Sequence, residues 1–332
     1  MNNDNFCHPL PRQLRPWLLV VAVSAPLWLA TAADVQTAGP LTMTTDPEAG
    51  RLTILHRDRP VLRYAFAADQ WKPYVEELYS LRGKNVTIDS PPDHLHHHGL
   101  MYAITVNGIN FWEEQTDPGV QKPVGFLARE LHSAERGAST ASFEQLIHWV
   151  AGTDRAKPDT GSVALLIEKR RLTVAIDESV GEVAVRWQSA FEVGPGSEQV
   201  RLSGPVYHGL GMRLPAAFDR VARRMNSAGL PYLPTGGNEA TPSDWSAMTQ
   251  SVGCQPLTVA MFGRPSNAGP SVFFSMLNTF AYLSATQALD QHPLVYQAGD
   301  RFQLDYLVTV SDRTQTAEEL AERHARWLNQ KQ

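Results

Sequence analysis

Four histidines lie within five residues of this chain, and no other segment concentrates so many side chains capable of chemistry. Residues 93–99 read Asp-His-Leu-His-His-His-Gly, in a chain that has 11 histidines in all. Imidazole titrates near neutral pH, so it can move protons to and from hydroxyl or carbonyl groups. If the segment is extended, alternate side chains share a face, so that His94, His96 and His98 line one side and His97 points away.

A metal site is one interpretation of this segment. A His-x-His-x-His spacing on extended chain suits Zn, Fe, Ni or Cu, and a divalent transition metal is therefore a candidate cofactor. The predicted ligands are His94, His96 and His98, with Glu113 or Glu114 completing the set.

Metal-free chemistry is the second interpretation. His94, His96 and His97 would act as catalytic acid–base groups together with Glu113 or Glu114, on a sugar or a related hydroxylated molecule. A third interpretation is structural: a polar loop whose histidines cap strand ends and bond to the backbone. All three remain open at the level of the sequence.

A predicted hairpin brings the two glutamates back to the histidines. Residues 107–108 are Asn-Gly between two apolar runs, which predicts a two-residue type I′ turn. That turn sets a register in which Tyr102 faces Glu113, with Glu114 next along the strand. If the first strand runs back to His98, then His98, Tyr102 and Glu113 share one face.

Substrate-binding candidates come from several other segments. Residues 207–213 read Tyr-His-Gly-Leu-Gly-Met-Arg and predict a strand that approaches a ligand closely. Its Arg213 suits a carboxylate or a pair of sugar hydroxyls, and aromatic side chains suit the faces of sugar rings. The candidates from this reasoning are Tyr74, Tyr102, Trp112, His208, Arg213, Trp245 and, in a predicted turn, Asn267.

The rest of the chain predicts the scaffold, a large antiparallel β-sandwich. Short β segments alternate with Gly, Pro, Asn and Asp, and helix signals are few. Thr316 and Glu319 predict a capping box for a short C-terminal helix, packed on a sheet edge or the sandwich end. Residues 226–245 predict a long loop. The predicted strands are Arg51–His56, Val61–Phe66, Leu100–Val106, Ile109–Glu113, Ser142–Val150, Val163–Ile176, Glu182–Val193, Leu257–Phe262, Ser271–Leu277, Phe280–Thr286 and Phe302–Ser311.

The N-terminal residues predict export. Residues 1–32 combine arginines, a short apolar run and small residues before Ala33, the pattern of a cleaved signal peptide. The remaining residues, 33–332, are expected to form a single domain in the periplasm or outside the cell, with no later membrane span. The net charge of −5 and the lack of a basic patch among aromatics exclude nucleic acid as an expected partner. Cys254 is then alone, and is expected to be a small buried side chain.

The histidine segment resembles a bacterial family labelled methane oxygenase PmoA-like. That pattern runs Asp-His-Pro-His-His-Arg-Gly-Leu-Trp, so His94, His96 and His97 carry over residue by residue, whereas His98 stands in place of Arg. Supporting pieces are residues 72–75, 106–112, 207–213, 265–267 and 294–300. On this resemblance, Lys72 joins the substrate-binding candidates.

The resemblance implies a galactose-mutarotase-like β-sandwich associated with polysaccharide use. The membrane subunit that gave the family its label is an integral helical protein, and this chain has no matching spans. The leading hypothesis is an exported carbohydrate-active hydrolase, lyase or epimerase that acts on a small-molecule or glycan substrate. The alternatives are a non-catalytic glycan-binding or scaffold module and a metal-carrying redox protein.

Overall fold

A computed structural model of the chain describes residues 33–134, 138–152, 163–229, 239–252 and 255–330. The strands in these ranges are β1 (Asp34–Ala38), β2 (Leu41–Asp46), β3 (Arg51–His56), β4 (Arg59–Ala65), β5 (Tyr74–Leu78), β6 (Leu100–Ala103), β7 (Thr105–Val106), β8 (Ile109–Asn110), β9 (Val120–His132), β10 (Ser139–Val150), β11 (Leu166–Asp177), β12 (Glu182–Val193), β13 (Gln199–Ser203), β14 (Gly209–Arg213), β15 (Arg223–Asn226), β16 (Glu239–Pro242), β17 (Trp245–Val252), β18 (Gln255–Gly263), β19 (Val272–Met276), β20 (Tyr282–Thr286), β21 (Leu294–Gln297) and β22 (Arg301–Ser311). A short 3-10 helix spans Ala216–Phe218, and the α-helix α1 spans Ala317–Leu328.

The strands form two large sheets and one small sheet. The ten-stranded sheet has the order β1-β2-β3-β4-β5-β6-β14-β20-β19-β16, and the eight-stranded sheet has the order β15-β17-β18-β22-β12-β11-β10-β9. A four-stranded sheet, β21-β13-β7-β8, completes the set. Buried side chains of both large sheets, such as Leu52, Val75, Phe143 and Trp187, belong to one continuous hydrophobic core. The predicted mainly-β antiparallel sandwich is therefore confirmed.

Alternation of buried and more exposed residues explains the long strands. In β11 the side chains alternate between the core and the surface along most of the strand, the period that a pleated sheet imposes. The predicted strands Arg51–His56 and Glu182–Val193 match β3 and β12, and the predicted hairpin around residues 177–181 pairs β11 with β12.

The hairpin at residues 107–108 has the predicted turn but not the predicted length. Asn107 and Gly108 both have positive φ, 50° and 80°, as a type I′ turn requires. The returning strand β8 nevertheless ends at Asn110, because the Asn110 side-chain oxygen accepts hydrogen bonds from the backbone N–H groups of Trp112 and Glu113. The prediction that Tyr102 faces Glu113 is wrong, since β6 pairs with β14 instead.

A buried arginine links the eight-stranded sheet to the segment that precedes β5. Glu168 and Arg170 on β11 are both fully buried, and Arg170 Nε donates to Glu168 Oε1 at 2.8 Å. Arg170 Nη1 donates to the carbonyl oxygen of Pro73 at 2.7 Å. Pro73 precedes β5 and lies between Lys72 and Tyr74, so the core network fixes the backbone of two candidate residues.

The C-terminal helix has the predicted cap but a different packing site. Thr316 and Glu319 form the full capping box. The helix packs Leu320 and Trp327 against Trp245 and Phe262, on a face of the eight-stranded sheet rather than at its edge. Trp245 is thus buried beneath α1, which is incompatible with stacking on a sugar ring.

Several predictions fall outside the described residues or change at their margins. The predicted signal peptide, residues 1–32, and Cys254 lie outside the described ranges. The predicted loop at 226–245 is wrong at its C-terminal end, where residues 239–242 form edge strand β16. No helix in the described part of the chain has the length and apolar character needed to cross a membrane.

Candidate functional site

The histidine segment is folded into tight turns and not into a strand. His94 N–H donates to the Pro91 carbonyl, and His97 N–H donates to the His94 carbonyl, each at 2.9 Å. The following strand β6 begins only at Leu100. Gly99 allows the loop to pass close to β5, because a Cβ at this position would collide with the Val75 carbonyl oxygen. The predicted extended segment is therefore wrong.

The turns bring His97 together with His94 and His96 and separate His98 from them. The rings of His94 and His97 stack at 4.5 Å between centroids, and those of His96 and His97 meet at 4.7 Å. His98 instead stacks on Tyr74 at 4.2 Å.

His94, His96 and His97 border a cavity of about 960 Å³. The five predicted catalytic residues, His94, His96, His97, Glu113 and Glu114, all line it. The rest of the wall consists of Trp71, Pro92, Asp93, Leu95, Trp112, Gln115, Tyr207, Phe274, Met276, Asn278, Thr279, Phe280 and Tyr282. The cavity thus combines titratable groups with aromatic walls, the general character of a small-molecule site.

Arg213 of β14 holds the histidine loop from behind. Its Nη2 donates to Asp93 Oδ2 at 2.9 Å, and its Nη1 lies 3.4 Å from His97 Nδ1. The guanidinium carbon lies 3.5 Å from the ring centroid of Phe280. Arg213 is 6% exposed and is not among the described residues that line the cavity. The structure therefore places it as a support for the loop.

The contact with Arg213 defines the state of His97. An arginine can only donate, so His97 Nδ1 accepts and the ring proton lies on Nε2. Burial, followed by the charges of His96, His94 and Arg213, lowers the pKa of His97 to about 3. His97 is thus a neutral N–H donor at physiological pH.

His94 and His96 differ in their anchoring. Asp93 forms an ion pair with Arg213 and also accepts a hydrogen bond from His94 Nδ1 at 3.1 Å. His94 Nε2 is therefore the acceptor nitrogen of the ring. His96 is half-buried, and burial, Lys72 and His94 lower its pKa, whereas Glu113 and Glu114 act in the opposite direction. His96 is therefore neutral at pH 7 and can accept a proton.

Glu114 belongs to a buried chain of alternating charges. His98 Nε2 donates to Glu114 Oε1 at 2.9 Å, and His98 Nδ1 donates to Asp89 Oδ1 at 2.8 Å. The Lys72 ammonium, which is fully buried, pairs with Glu114 and also donates to the Trp112 carbonyl at 3.2 Å.

This chain of charges fixes the protonation of both Glu114 and His98. Burial would raise the pKa of Glu114, but the hydrogen bond from His98 and the charge of Lys72 outweigh it and lower the pKa to about 2. Burial would lower the pKa of His98, but the bonds to Asp89 and Glu114 outweigh it and raise the pKa. Glu114 therefore faces the cavity as a permanent carboxylate.

The loop after β8 also positions Glu113. The turn at Asn110 presents the Glu113 carboxylate to the cavity. Glu113 Oε1 accepts a hydrogen bond from the Tyr207 hydroxyl at 3.2 Å. Burial and then Glu113 raise the pKa of Tyr207 to about 12, so this hydroxyl stays protonated.

Behind the cavity wall lies a buried histidine with no described hydrogen bond. The ring of His208 is 1% exposed and stacks on Trp112 at 5.1 Å, and neither ring nitrogen has a partner in the described structure. Burial, with Lys72 next, lowers the pKa of His208 to about 3. His208 was predicted to bind substrate, but here it supports Trp112 and not the cavity surface.

Two other predicted binding residues are used elsewhere. The Tyr102 hydroxyl donates to Gln287 Oε1 at 2.8 Å in the sandwich core. Asn267 bonds to the backbone of Asp305 on β22 through both its side-chain oxygen and its side-chain nitrogen. Lys72 and Tyr74 lie directly behind the cavity, in the wall that holds Glu114 and His98.

The predicted metal set of His94, His96 and His98 does not fit this geometry. Both nitrogens of His98 bond to carboxylates, and its ring stacks on Tyr74, whereas the rings of His94 and His96 contact His97. Within the described ranges, no group of three or more His, Cys, Asp or Glu side chains is arranged to hold a metal ion.

Sequence reasoning missed Asp89, Asp93 and Tyr207 as site residues. Asp93 adjoins the first histidine, so its role in orienting His94 had a local signal. Asp89 and Tyr207 had none, because their partners, His98 and Glu113, are set by the tertiary fold.

The family model for a family of unknown function, DUF6807, matches residues 51–325. The chain belongs to this family. Comparison with curated proteins gives no match.

Solved structures similar to the DUF6807 chain include bacterial α-galactosidases. It is similar to the GH36 α-galactosidase AgaB from Geobacillus stearothermophilus, with 11% identity, a TM-score of 0.47, and coverage of 82% of this chain and 41% of that one. The α-galactosidase from Lactobacillus brevis has 9% identity, a TM-score of 0.37, and coverage of 84% and 39%. The Slr1438 protein from Synechocystis has 10% identity, a TM-score of 0.34, and coverage of 85% and 96%. The chain spans about two fifths of the length of these α-galactosidases.

Proposed function

We propose that this DUF6807 chain is a carbohydrate-active enzyme that epimerises a sugar by acid–base proton transfer in the cavity. One observation carries the proposal: neutral imidazoles and an ionised carboxylate face a single cavity with aromatic walls. His96 would take the proton of the anomeric hydroxyl as the bond between C1 and the ring oxygen breaks, and the resulting imidazolium would give that proton to the ring oxygen. His97 Nε2–H would donate a hydrogen bond to the same oxygen. Reversal of these steps on the other face of C1 closes the ring as the other anomer. Trp112, Phe280 and the other rings would contact the apolar faces of the sugar.

The ionised state of Glu114 prevents it from acting as the acid of a hydrolytic carboxylate pair. Hydrolysis of a glycoside by two carboxyl groups requires one of them to be protonated at working pH. Glu114, with its pKa of about 2, is ionised and is suited to accept hydrogen bonds from sugar hydroxyls. His96 is then the proton-transfer group, whereas the neutral ring of His97 donates a hydrogen bond and keeps its proton.

A direct assay separates the candidate reactions. Purified protein is mixed in D₂O with aldoses of the gluco, galacto and manno series, and NMR follows the interconversion of anomers and epimers. Glycosides of the same sugars report hydrolysis through released reducing sugar, and ultraviolet absorbance reports elimination through unsaturated products. Faster interconversion of at least one sugar supports the proposal, whereas hydrolysis or elimination alone contradicts it.

The variant His96→Ala tests the proton-transfer role. We expect kcat to fall at least about 100-fold, because a positioned acid or base contributes 10²–10⁴-fold. The melting temperature should stay close to that of the native chain, because His96 is half-exposed and no hydrogen bond of its ring is described. The matched control is His292→Ala at an exposed position, which should keep full activity.

The pH profile gives a second test of His96. Its pKa is lowered below the ordinary value of 6.5, chiefly by burial. Because His96 works in its neutral form, kcat/KM should rise as the pH increases through that pKa and be level above pH 6.5. A profile that falls through this range would contradict the proposed role.

Binding of sugars with no conversion would favour the alternative, a non-catalytic glycan-binding module.

Export to the periplasm or the medium is part of the proposal and rests on the N-terminal pattern. Sequencing the N-terminus of the protein recovered from the cell envelope tests it, with Ala33 as the expected first residue. The resemblance to PmoA-like proteins stays a prediction, because the matching family model carries no function.

A further inference from the structure

We infer that the cavity accepts uncharged or amine-bearing sugars and rejects sugars that carry a carboxylate. This inference names the substrate class of the proposed site and rests on the proposed function. It follows from which charges the cavity wall presents and which it hides.

The cations near the cavity are not available to a ligand. Lys72 is fully buried and bonds to Glu114 and the Trp112 carbonyl. Arg213 is buried beneath the histidine loop and bonds to Asp93, with its guanidinium against Phe280. Among the described residues that line the cavity, none is Lys or Arg. A sugar carboxylate entering this space would lose water and find no cation to replace it.

Three carboxylates line the cavity, those of Asp93, Glu113 and Glu114, and Glu113 has no described cationic partner. Asp93 is neutralised by Arg213, and Glu114 by Lys72 and His98. The described partner of the Glu113 carboxylate is the Tyr207 hydroxyl, which is neutral. Glu113 therefore brings an uncompensated negative charge into the cavity, which repels an anionic sugar and attracts a cationic one.

The rings of the cavity wall already have partners within the protein. The Arg213 guanidinium lies over Phe280, and His208 stacks on Trp112. An amino sugar would thus gain the Glu113 carboxylate, while a neutral sugar would use the hydrogen bonds alone.

Matched sugar triads test this inference by binding alone. For each of the gluco, galacto and manno series, the neutral sugar, the 2-amino sugar and the uronate are titrated against the full chain by calorimetry at about pH 7, above the ordinary imidazole pKa. In the series that binds, we expect the uronate to bind at least about tenfold more weakly than the neutral sugar, a difference of about 1.4 kcal/mol. The amino sugar should bind at least as tightly as the neutral one.

The variant Glu113→Gln shows whether this charge is the cause. It keeps the shape and an acceptor for Tyr207 but removes the charge. The gap in affinity between the uronate and the neutral sugar should therefore narrow. Glu322→Gln on the exposed face of α1 is the matched control and should leave the gap unchanged. Uronate binding as tight as that of the neutral sugar, or a gap unaffected by Glu113→Gln, would overturn the inference and leave the proposed function standing. Selective binding without conversion would reject epimerisation and keep the inference, whereas no binding in any series would reject both.

Discussion

At the residue scale, neighbouring side chains of one type have opposite properties in this site. His97 and His98 are adjacent, yet the pKa of His97 falls to about 3 and that of His98 rises. Burial acts to lower the pKa of both rings. The charges of His96, His94 and Arg213 add to this effect at His97, whereas the hydrogen bonds to Asp89 and Glu114 outweigh it at His98. The residue types predicted a site in this segment, but only the tertiary contacts divide the histidines into a cavity group and a supporting residue.

The buried charge pair leads to a prediction about Glu114. Replacing Glu114 with Gln leaves the Lys72 ammonium fully buried without its carboxylate. Breaking one side of a buried ion pair costs about 3–5 kcal/mol, so we expect a loss of this size in the free energy of unfolding. Urea denaturation at neutral pH measures it.

The double variant Glu114→Gln with Lys72→Met separates stability from function. Methionine has a similar length and no charge, so most of the lost stability should return. Turnover should not return, because the cavity still lacks its carboxylate. If the single variant is as stable as the native chain, the ion pair does not hold this wall together.

At the element scale, turns with a local sequence signal were predictable, and their continuation was not. Asn-Gly at residues 107–108 and the capping box at Thr316 are confirmed because a few adjacent residues determine each of them. The return strand after residue 108 ends early because the Asn110 side chain captures two backbone N–H groups. The histidine segment was expected to be extended, but its backbone closes two turns through Pro91 and His94.

Strand β14 supplies a prediction about the cavity wall. A Cβ on Gly211 would overlap the Tyr282 hydroxyl and lie 2.7 Å from the Trp112 ring. Gly211→Ala should therefore push both rings and lower the free energy of unfolding by about 1–3 kcal/mol, the usual cost of overpacking. Sugar affinity should fall as well, because both rings line the cavity.

The matched control for Gly211→Ala lies on β9. Gly125 is exposed, and nothing lies within 4 Å of a Cβ added there. Gly125→Ala should change stability by no more than about 0.5 kcal/mol, as expected for a surface substitution. Equal effects of the two substitutions in thermal and urea unfolding would show that the rings near Gly211 can move aside.

At the scale of the whole molecule, the pattern of short β segments and turns predicted the sandwich, whereas the long-range connections were not predictable. Arg170 reaches the Pro73 carbonyl, although 97 residues separate them in the chain. Alternation along β11 places Glu168 and Arg170 on the same face as Leu172 and Val174, so their burial had a local signal. Nothing in the local sequence indicates which distant backbone carbonyl such a side chain will meet, so the link between core and site emerges only from the fold.

The response of the whole fold to acid gives the last prediction. The pKa of His208 is about 3 in the folded chain, because of burial and then Lys72, against an ordinary value of 6.5. Between these values the unfolded chain binds a proton that the folded chain does not, so the free energy of unfolding must fall as the pH drops below 6.5. His97 acts in the same direction. Glu114 lowers the free energy of unfolding further between pH 4.5, its ordinary pKa, and about pH 2, its pKa in the folded chain.

The variant His208→Phe isolates one part of this dependence. Phenylalanine can stack on Trp112 but takes up no proton, so the slope of unfolding free energy against pH should decrease by up to one proton, or ~1.4 kcal/mol per pH unit. Urea denaturation at several values between about pH 4 and pH 6 measures the slope, which is independent of any constant change in packing energy. Parallel slopes for the native chain and the variant would mean that His208 binds a proton in the folded state, and that a charged or water-bonded imidazole supports the wall of the cavity.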